Sequence, residues 1–253
     1  MSTPLILAEL SDRILTIRFN RPDKKNALTK AMYAALAEAM DSAQANDAVR
    51  VILFAGQADC FTSGNDLFDP PDGLEGALGR FIQALMTCPK PVIAAPCGLA
   101  VGIGLTLLMY CDLVYCGEQT MLRAPFVSLG VCPELGASFV VPQLMGYQRA
   151  CALLLTGEAI DAATAREYGL VNEVRPNGEA EEFARSKARL IAALPPQSVR
   201  TTKMLMRRWS QPMAQEANTL EMQHLMVMAL GPETREAIAA FAQKRRPDFS
   251  QFV

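Results

Sequence analysis

The sequence predicts an α/β fold with crossover connections, because short strand patterns alternate with helical patterns through its first half. The segment "ILTIRFN" (14–20) alternates apolar and polar residues, which is typical of a strand with one buried face. Continuous apolar runs bounded by turn residues predict further strands buried on both faces. These runs are "VRVILFAG" (49–56), "KPVIAAPCG" (90–98) and "DLVYCG" (112–117).

Helical patterns lie between and after these strands. Thr29 is a suitable cap for a helix to about Gln44, in which apolar residues recur every fourth position. Two more helices are predicted around residues 74–87 and from about 103 to 110. After Pro195 the pattern becomes helical throughout, with breaks expected at Pro212 and at "GPE" (231–233). The prolines of "LPPQ" (194–197) predict a boundary between a core of residues 1–194 and a helical region of residues 195–253.

Composition excludes several classes of protein. A net charge of −2 provides no general attraction to nucleic acid or to an anionic membrane. Prolines and glycines divide the longest apolar run, 91–111, so no membrane span is expected. The chain has one histidine, His224, and no Cys-x-x-Cys pair, so we expect no metal and no prosthetic group. The seven cysteines lie mostly in apolar runs, which favours free thiols in a reducing compartment. The first residues lack a signal-peptide pattern, and we therefore expect a cytoplasmic protein.

Two glycine-rich loops invite a test for phosphate binding. "GLAVGIG" (98–104) fails the Gly-x-Gly-x-x-Gly pattern, because Leu107 occupies the third glycine position. The loop nevertheless leads directly into an apolar helix, whose first N–H groups can bind an anion or a carbonyl oxygen that becomes anionic. Close packing of the turn against the sheet explains the same residues. "FTSGNDL" (61–67) has a similar character.

Glu134 is the single acidic residue between Glu118 and Glu158, and its neighbours are small or apolar. One interpretation is a proton carrier in a dry pocket, since burial raises the pKa of a carboxyl group. The alternative is a carboxylate that complements the start of the next helix.

Five stretches in this order resemble the crotonase superfamily, the enoyl-CoA hydratase/isomerase group, and they span almost the whole chain. They are "NRPDKKNAL", "CFTSGNDL", "KPVIAAPCGLAVGIGLTLLMYCDLVYC", "LLLTGEAIDAATAREYGLVNEV" and "AFAQKRRPDF". The resemblance implies a crotonase-like spiral of ββα units with a helical C-terminal oligomerisation region, in a homotrimer or a dimer of trimers. It also implies an acyl-CoA substrate, in which coenzyme A is part of the thioester.

The resemblance assigns roles to individual residues. The backbone N–H groups of Asn65 and Ile103 would form an oxyanion hole for the thioester oxygen. Contacts with coenzyme A would come from one loop, through Lys24, Lys25 and Ala27. The C-terminal tail of a neighbouring subunit would add Lys244 and Phe249. Surface charge and end packing are the alternative explanations for these five residues.

The same resemblance separates two chemistries. Hydratases of the family use two glutamates, and this sequence has Thr106 and Phe126 at those positions, so neither can act as an acid or base. Isomerisation needs one carboxylate, and the stretches "APFVSLGVCPELGAS" and "AVGIGLTLLMYCD" are most similar to peroxisomal-type Δ3,Δ2-enoyl-CoA isomerases. The catalytic glutamate of those enzymes lies in the matching Pro-Glu pair, so the resemblance implies a catalytic role for Glu134. We therefore expect an isomerase of the fatty-acid β-oxidation type. The alternatives are a hydratase or other lyase with non-standard acids, and a non-catalytic acyl-CoA-binding subunit.

Six apolar residues are candidates for the lining of a pocket for the acyl tail, and core packing explains them equally well. They are Phe68, Leu74, Leu78, Phe81, Phe126 and Phe139.

Overall fold

The computed structural model describes residues 3–57, 59–69 and 75–252, in which strands and helices follow one another in short repeats. The strands are β1 (Ile6–Ser11), β2 (Ile14–Phe19), β3 (Val51–Ala55), β4 (Cys60–Thr62), β5 (Val92–Ala95), β6 (Leu99–Val101), β7 (Leu113–Gly117), β8 (Met121–Arg123), β9 (Ile160–Asp161) and β10 (Glu173–Arg175). The α-helices are α1 (Lys30–Ala45), α2 (Ala77–Met86), α3 (Ile103–Thr106), α4 (Ala137–Met145), α5 (Tyr147–Thr156), α6 (Ala162–Glu167), α7 (Ala180–Ala192), α8 (Pro196–Arg207), α9 (Ser210–Met228) and α10 (Pro232–Ala242). Short 3-10 segments lie at Pro22–Lys24, Leu107–Tyr110 and Val127–Leu129.

The described strands form two sheets, and the chain alternates between them. The larger sheet has the order β1-β2-β3-β5-β7-β10, with β1 antiparallel to β2 and the other neighbours parallel. The smaller sheet has the order β4-β6-β8-β9, with its first three strands parallel. Each of β3, β5 and β7 in the larger sheet is therefore followed by a strand of the smaller sheet. The helices α2 and α3 close the first two of these strand pairs.

Both faces of the larger sheet are covered. Side chains of Ile52 and Phe54 join the main core, which also contains α1. Those of Val51 and Leu53 point to the opposite face and pack with the alanines of α7 in a second core. The alternation along β3 explains why its sequence is apolar at every position, and it confirms the prediction of a buried strand.

The helix α1 forms as its sequence predicts. The Thr29 side chain accepts a hydrogen bond of 3.3 Å from the Met32 amide, which caps the helix. The apolar stripe is fully buried, and it consists of Leu28, Met32, Leu36 and Met40.

Two helical predictions need correction. The helix from Ile103 is α-helical only to Thr106, and it continues as a 3-10 turn to Tyr110. The break expected at Pro212 is wrong, because α9 begins at Ser210 and includes that proline in its first turn. A proline is tolerated there, since the first N–H groups of a helix have no partner within it.

The C-terminal helices are not isolated from the rest of the chain. Ala214 and Met222 of α9 lie in the main core, and α9 packs against α4. The division of the chain at residue 194 stays a prediction.

Two sequence-level expectations concern covalent and membrane chemistry. All seven cysteines are free thiols. Within the described ranges, no helix has the length and apolar composition that crossing a bilayer requires.

Candidate active site

The Asn65 amide lies in a loop that is anchored on both sides. Asn65 forms an isolated parallel bridge with Leu28. The Leu28 amide donates to the Gly64 carbonyl at 2.8 Å, and the Asp66 amide donates to the Leu28 carbonyl at 2.9 Å. In a parallel bridge with this pattern, the N–H of the residue between them points to the other side. No described residue accepts a hydrogen bond from the Asn65 amide.

The Ile103 amide is the first of helix α3. Gly102 precedes it with φ 56° and ψ −119°, a conformation that a side chain at this position would strain. The carbonyl of Gly102 accepts from the Leu105 and Thr106 amides at 2.9 and 3.0 Å, which starts the helix. The amide of Ile103 has no such partner in the part of the chain that is described, as expected for a first helical residue.

Glycines let the two loops touch. A Cβ atom on Gly64 would lie 3.0 Å from the Val101 carbonyl oxygen, and one on Gly102 would lie 4.0 Å from the Gly64 Cα. Asn65 and Ile103 directly follow these two glycines, so the structure brings their amides to one junction. Two unpaired N–H groups at one junction can stabilise an oxyanion.

Glu134 is buried in the turn before α4, with 2% of its surface exposed. Its Oε1 atom has no hydrogen-bond partner among the described residues. Burial raises the pKa of Glu134 to about 8, and the negative charge of Glu221 adds to this effect. A carboxyl group with such a pKa exchanges protons readily near neutral pH.

Tyr33 of α1 connects the acid with the amide junction. Its hydroxyl donates a hydrogen bond to the Asn65 side-chain oxygen. Burial raises the pKa of Tyr33 well above its ordinary value, and the charge of Glu134 raises this pKa further. Tyr33 therefore bonds to the Asn65 side chain and is also subject to the charge of Glu134.

The alternative role considered for Glu134 belongs to another residue. The amides of Gly136 and Ser138, at the start of α4, each donate a 2.7 Å hydrogen bond to the side chain of Glu221. Glu221 therefore complements this helix start, and Glu134 does not. Glu221 is not among the residues predicted from sequence, although its place on the buried face of α9 beside Met222 is a signal that the sequence offers.

The two positions where hydratases carry glutamates are buried here. Thr106 is fully buried, and its hydroxyl has no described partner. Phe126 is 6% exposed and belongs to the main core. Neither side chain can exchange a proton with a substrate near neutral pH.

The loop with the candidate coenzyme A contacts lies beside the Asn65 loop. The Ser63 amide donates to the Lys25 carbonyl at 3.0 Å, and Arg21 donates to the Ala27 carbonyl at 2.9 Å. Lys24 and Lys25 are exposed. Their ammonium groups are therefore free to reach phosphate groups outside the protein surface.

The C-terminal candidates lie elsewhere in this chain. Lys244 is exposed and Phe249 is half-buried, both beyond the end of α10. Between described residues, no hydrogen bond or ion pair joins them to the loop of Lys24 and Lys25. Their assignment to the coenzyme A of a neighbouring subunit stays a prediction.

The candidates for the tail pocket fall into different environments. Leu78, Phe81 and Phe126 belong to the main core, and Phe139 packs partly buried against it. Phe68 is 70% exposed, and its ring centroid lies 6.4 Å from that of Phe241 in α10. Leu74 lies outside the described residues.

Strand pairs that alternate between two sheets, each pair followed by a helix, are the architecture of the crotonase superfamily. A sequence model of the enoyl-CoA hydratase/isomerase family matches residues 9–252, and the chain belongs to this family. The resemblance predicted from the motifs and the predicted fold class are thus confirmed.

The relatives of the chain include two kinds of enzyme. The chain is 35% identical to enoyl-CoA delta isomerase 2 of Rattus norvegicus over 95% of its own length and 64% of the relative's. It is 31% identical to 2,3-dehydroadipyl-CoA hydratase of Escherichia coli K12 over 96% of its length and 98% of the relative's. The crystal structure of an enoyl-CoA hydratase/isomerase from Pseudoalteromonas atlantica T6c superposes with a TM-score of 0.93 and 34% identity, covering 98% of this chain and 100% of that one.

Proposed function

We propose that the protein is an enoyl-CoA isomerase that moves the double bond of a 3-enoyl-CoA to the 2 position. The Glu134 carboxylate takes a proton from C2 of the substrate, the electron pair of that C–H bond forms a double bond between C1 and C2, and the carbonyl π pair moves onto the thioester carbonyl oxygen, which gives a dienolate. The carboxyl then returns the proton to C4, which restores the thioester carbonyl and leaves the double bond between C2 and C3. No atom is gained or lost.

The amides of Asn65 and Ile103 hold the thioester oxygen in this mechanism. Negative charge develops on that oxygen in the intermediate, and fixed N–H donors stabilise it without reorganising. One such donor contributes about 3 kcal/mol in other enzymes. Because the groups are part of the backbone, the side chains at these two positions are free to vary.

One observation carries the proposal: the buried Glu134 carboxyl has an oxygen without a hydrogen-bond partner among the described residues, and its charge acts on Tyr33, which bonds to Asn65 at the amide junction. Its pKa of about 8 suits a group that must both accept and return a proton. Thr106 and Phe126 occupy the positions at which a two-glutamate site carries its acids. The site therefore favours isomerisation over the hydration that two glutamates perform. The similarity to a delta isomerase supports the same choice.

The substrate is proposed to be an acyl-CoA of fatty-acid β-oxidation. The coenzyme A part would lie along the loop of Lys24, Lys25 and Ala27. Lys244 and Phe249 of a neighbouring subunit would complete its binding site. This arrangement requires an oligomer.

We propose a homotrimer or a dimer of trimers. Most of the large apolar side chains that are exposed in the described residues lie between 190 and 241, including Met206 and Trp209 at 70% and 80% exposure. Burying such side chains against other subunits would remove this apolar surface from water. Light scattering is expected to give three or six times the chain mass of 27.5 kDa, and a monomer mass would contradict the proposal.

The function is tested by giving purified protein a 3-enoyl-CoA and following the conjugated 2-enoyl product by its ultraviolet absorbance. The Glu134→Gln variant is expected to lose 10²- to 10⁴-fold in kcat, as removal of a general base does, while its affinity for the substrate is retained. Glu158→Gln is the matched control, because Glu158 is exposed and the charge change is the same.

Two other outcomes identify the rival functions. Formation of 3-hydroxyacyl-CoA from 2-enoyl-CoA, with no shift of the double bond in 3-enoyl-CoA, would indicate a hydratase. Binding of acyl-CoA without turnover of either substrate would indicate a non-catalytic subunit. Either result contradicts the isomerase proposal.

A further inference from the structure

A second buried glutamate lies next to the proposed catalytic acid. Glu221 is 6% exposed and lies on α9, on the face of that helix that also buries Ala214, Asn218 and Met222. A buried carboxylate is costly unless it is fully bonded. The proposed reaction does not use this residue, so its presence in the core requires another explanation.

Glu221 holds the segment that carries Glu134 from both ends. Beyond Glu134, its two carboxylate oxygens accept the 2.7 Å hydrogen bonds of the Gly136 and Ser138 amides. Before Glu134, the thiol of Cys132 lies 3.4 Å from the Glu221 carbonyl oxygen, as a donor to it. One residue of α9 is therefore bonded on both sides of the proposed proton carrier.

The held segment has a backbone that needs such support. Leu135 has φ 61° and Gly136 has φ 69°, so a branched residue lies in the left-handed region directly after Glu134. The Tyr110 hydroxyl donates a 2.7 Å hydrogen bond to the Leu135 carbonyl. A Cβ atom on Gly136 would lie 2.7 Å from the Ala214 carbonyl oxygen, so this turn packs directly on α9. These contacts fix the direction in which the Glu134 side chain leaves the backbone.

We infer that Glu221 is a positioning residue for Glu134. Glu221 aims the reacting carboxyl through the two hydrogen bonds that it accepts from the Gly136 and Ser138 amides, and it keeps a negative charge beside that carboxyl. The inference rests on the proposed function only for the consequence in turnover. Its structural part concerns the segment 132–138 and is testable without substrate.

The charges around the two carboxyls support this role. After burial, Glu221 is the group that raises the pKa of Glu134, and Tyr33 of α1 and Cys132 are the other titratable groups that face Glu134. Burial raises the pKa of Glu221 itself, while the hydrogen bonds that its carboxylate accepts at the start of α4 lower this pKa.

The groups that face Glu221 are also mostly anionic or neutral. Tyr110 and Cys132 both have a pKa that burial raises first and the charge of Glu221 raises further. Arg207 of α8 acts on Tyr110 in the opposite direction. Among the described residues, the groups that shift the pKa of Glu134 include no cation, so none of them offsets the charge of Glu221.

The test replaces Glu221 by glutamine, which retains one carbonyl acceptor for the amides but removes the charge. The pKa of the Glu134 carboxyl is measured by ¹³C NMR of labelled glutamate, with its signal assigned by its loss in Glu134→Gln. We expect this pKa to fall by about 0.5 to 1 pH unit in Glu221→Gln, because a like charge is removed. Glu216→Gln, an equal charge change at an exposed position of α9, is expected to leave the pKa unchanged.

Turnover provides the second readout. A carboxyl that ionises at lower pH becomes an available base at lower pH. The acidic limb of the pH profile of kcat/KM is therefore expected to shift to lower pH in Glu221→Gln. Less accurate aim is expected to lower kcat about tenfold with little change in KM. A merely structural role would lower stability but leave the limb in place.

Glu221→Asp keeps the charge but shortens the side chain, so it separates the effect of side-chain length from that of charge. It is also the variant to test if Glu221→Gln does not fold. The shorter side chain is expected to keep the pKa of Glu134 raised while kcat falls. An unchanged pKa of Glu134 in Glu221→Gln, or an ordinary glutamate pKa in Glu221→Asp, would overturn the inference. Because the NMR titration needs no substrate, a missing isomerase activity with a shifted pKa would contradict the proposed function and not the role of Glu221.

Discussion

The two halves of the candidate site are built in different ways. The amide half consists of backbone groups at Asn65 and Ile103, and glycines in two successive ββα units bring it together. The acid half consists of one side chain, Glu134, and its turn is held by Glu221, which lies 85 residues beyond Gly136. The first half is sensitive to the space and backbone conformation at its glycines. The second half is sensitive to a single functional group and to a charge from a distant helix.

The halves also differ in what they cost the fold. An unpaired N–H group at a helix start is an ordinary feature of a helix and carries no net charge. A buried carboxyl without a hydrogen-bond partner opposes folding whenever it is ionised. The unpaired amides of Asn65 and Ile103 therefore cost the fold little stability, whereas the buried Glu134 carboxyl destabilises the folded state when it is ionised.

The largest effect on the amide half is expected from Gly102→Ala. At φ 56° and ψ −119° an alanine is strained, so the start of α3 must shift and the Ile103 amide moves with it. A loss of about 10²- to 10³-fold in kcat is expected, as for removal of one oxyanion donor. Steady-state kinetics with 3-enoyl-CoA measures this loss.

Gly146→Ala is the control for backbone strain. Gly146 has φ 81°, and a Cβ atom there would have no neighbour within 4 Å. Both variants are expected to lose stability, and only Gly102→Ala is expected to lose activity. Equal activities of the two variants would show that the Gly102 turn does not position a catalytic amide.

The next effect concerns stability and pH. Because the pKa of Glu134 is raised to about 8 in the folded protein, the folded state is penalised progressively as the pH rises from the ordinary glutamate value towards 8. The penalty is about 3 kcal/mol at pH 7, since each pKa unit corresponds to about 1.4 kcal/mol. Glu134→Gln lacks it, so its Tm is expected to exceed that of the wild type by several degrees at pH 8 and by little at pH 5.

Calorimetry at several pH values between 5 and 8 measures this difference. Glu158→Gln, which removes an exposed carboxylate, is expected to follow the wild type throughout. A constant Tm difference between Glu134→Gln and the wild type over this range would mean that the carboxyl titrates normally. The acid half would then resemble an ordinary surface acid.

The smallest effect is expected from Asn65→Ala. The substitution keeps the amide and removes the side-chain oxygen that accepts the Tyr33 hydroxyl bond. If only the backbone N–H of residue 65 stabilises the developing charge, kcat is expected to fall less than about tenfold, mainly because the loop becomes less rigid. A loss as large as that of Glu134→Gln would place side-chain chemistry in the amide half and remove the distinction between the halves.

Sequence patterns predict the longer elements of the fold well. The alternation in 14–20 and the apolar run 49–56 correspond to β2 and β3, and the Thr29 cap begins α1. The patterns do not reveal the second strand of each unit, because β4, β6 and β8 have three residues each, too few for an alternation. These short strands determine where the Asn65 loop lies.

The candidate site is predictable in part for a similar reason. A lone acid in an apolar segment is visible as a pattern, and burial of Glu134 follows it. The contribution of Glu221 depends on which helix face meets the turn of residues 134–138, and this contact between distant segments has no local pattern. The approach of Gly64 to Gly102 is likewise a tertiary contact that motif resemblance implies and spacing alone does not.

The contact between Gly64 and Gly102 has a consequence for how such proteins diversify. A main-chain cradle for a thioester oxygen is neutral about what happens further along the acyl group, because it recognises only the oxygen. In the proposed mechanism the reaction is then selected by the acid, which can be moved, added or deleted without changing the backbone groups that bind the thioester oxygen. Redesigning this enzyme for a new reaction therefore begins at the acid and leaves the paired glycines untouched.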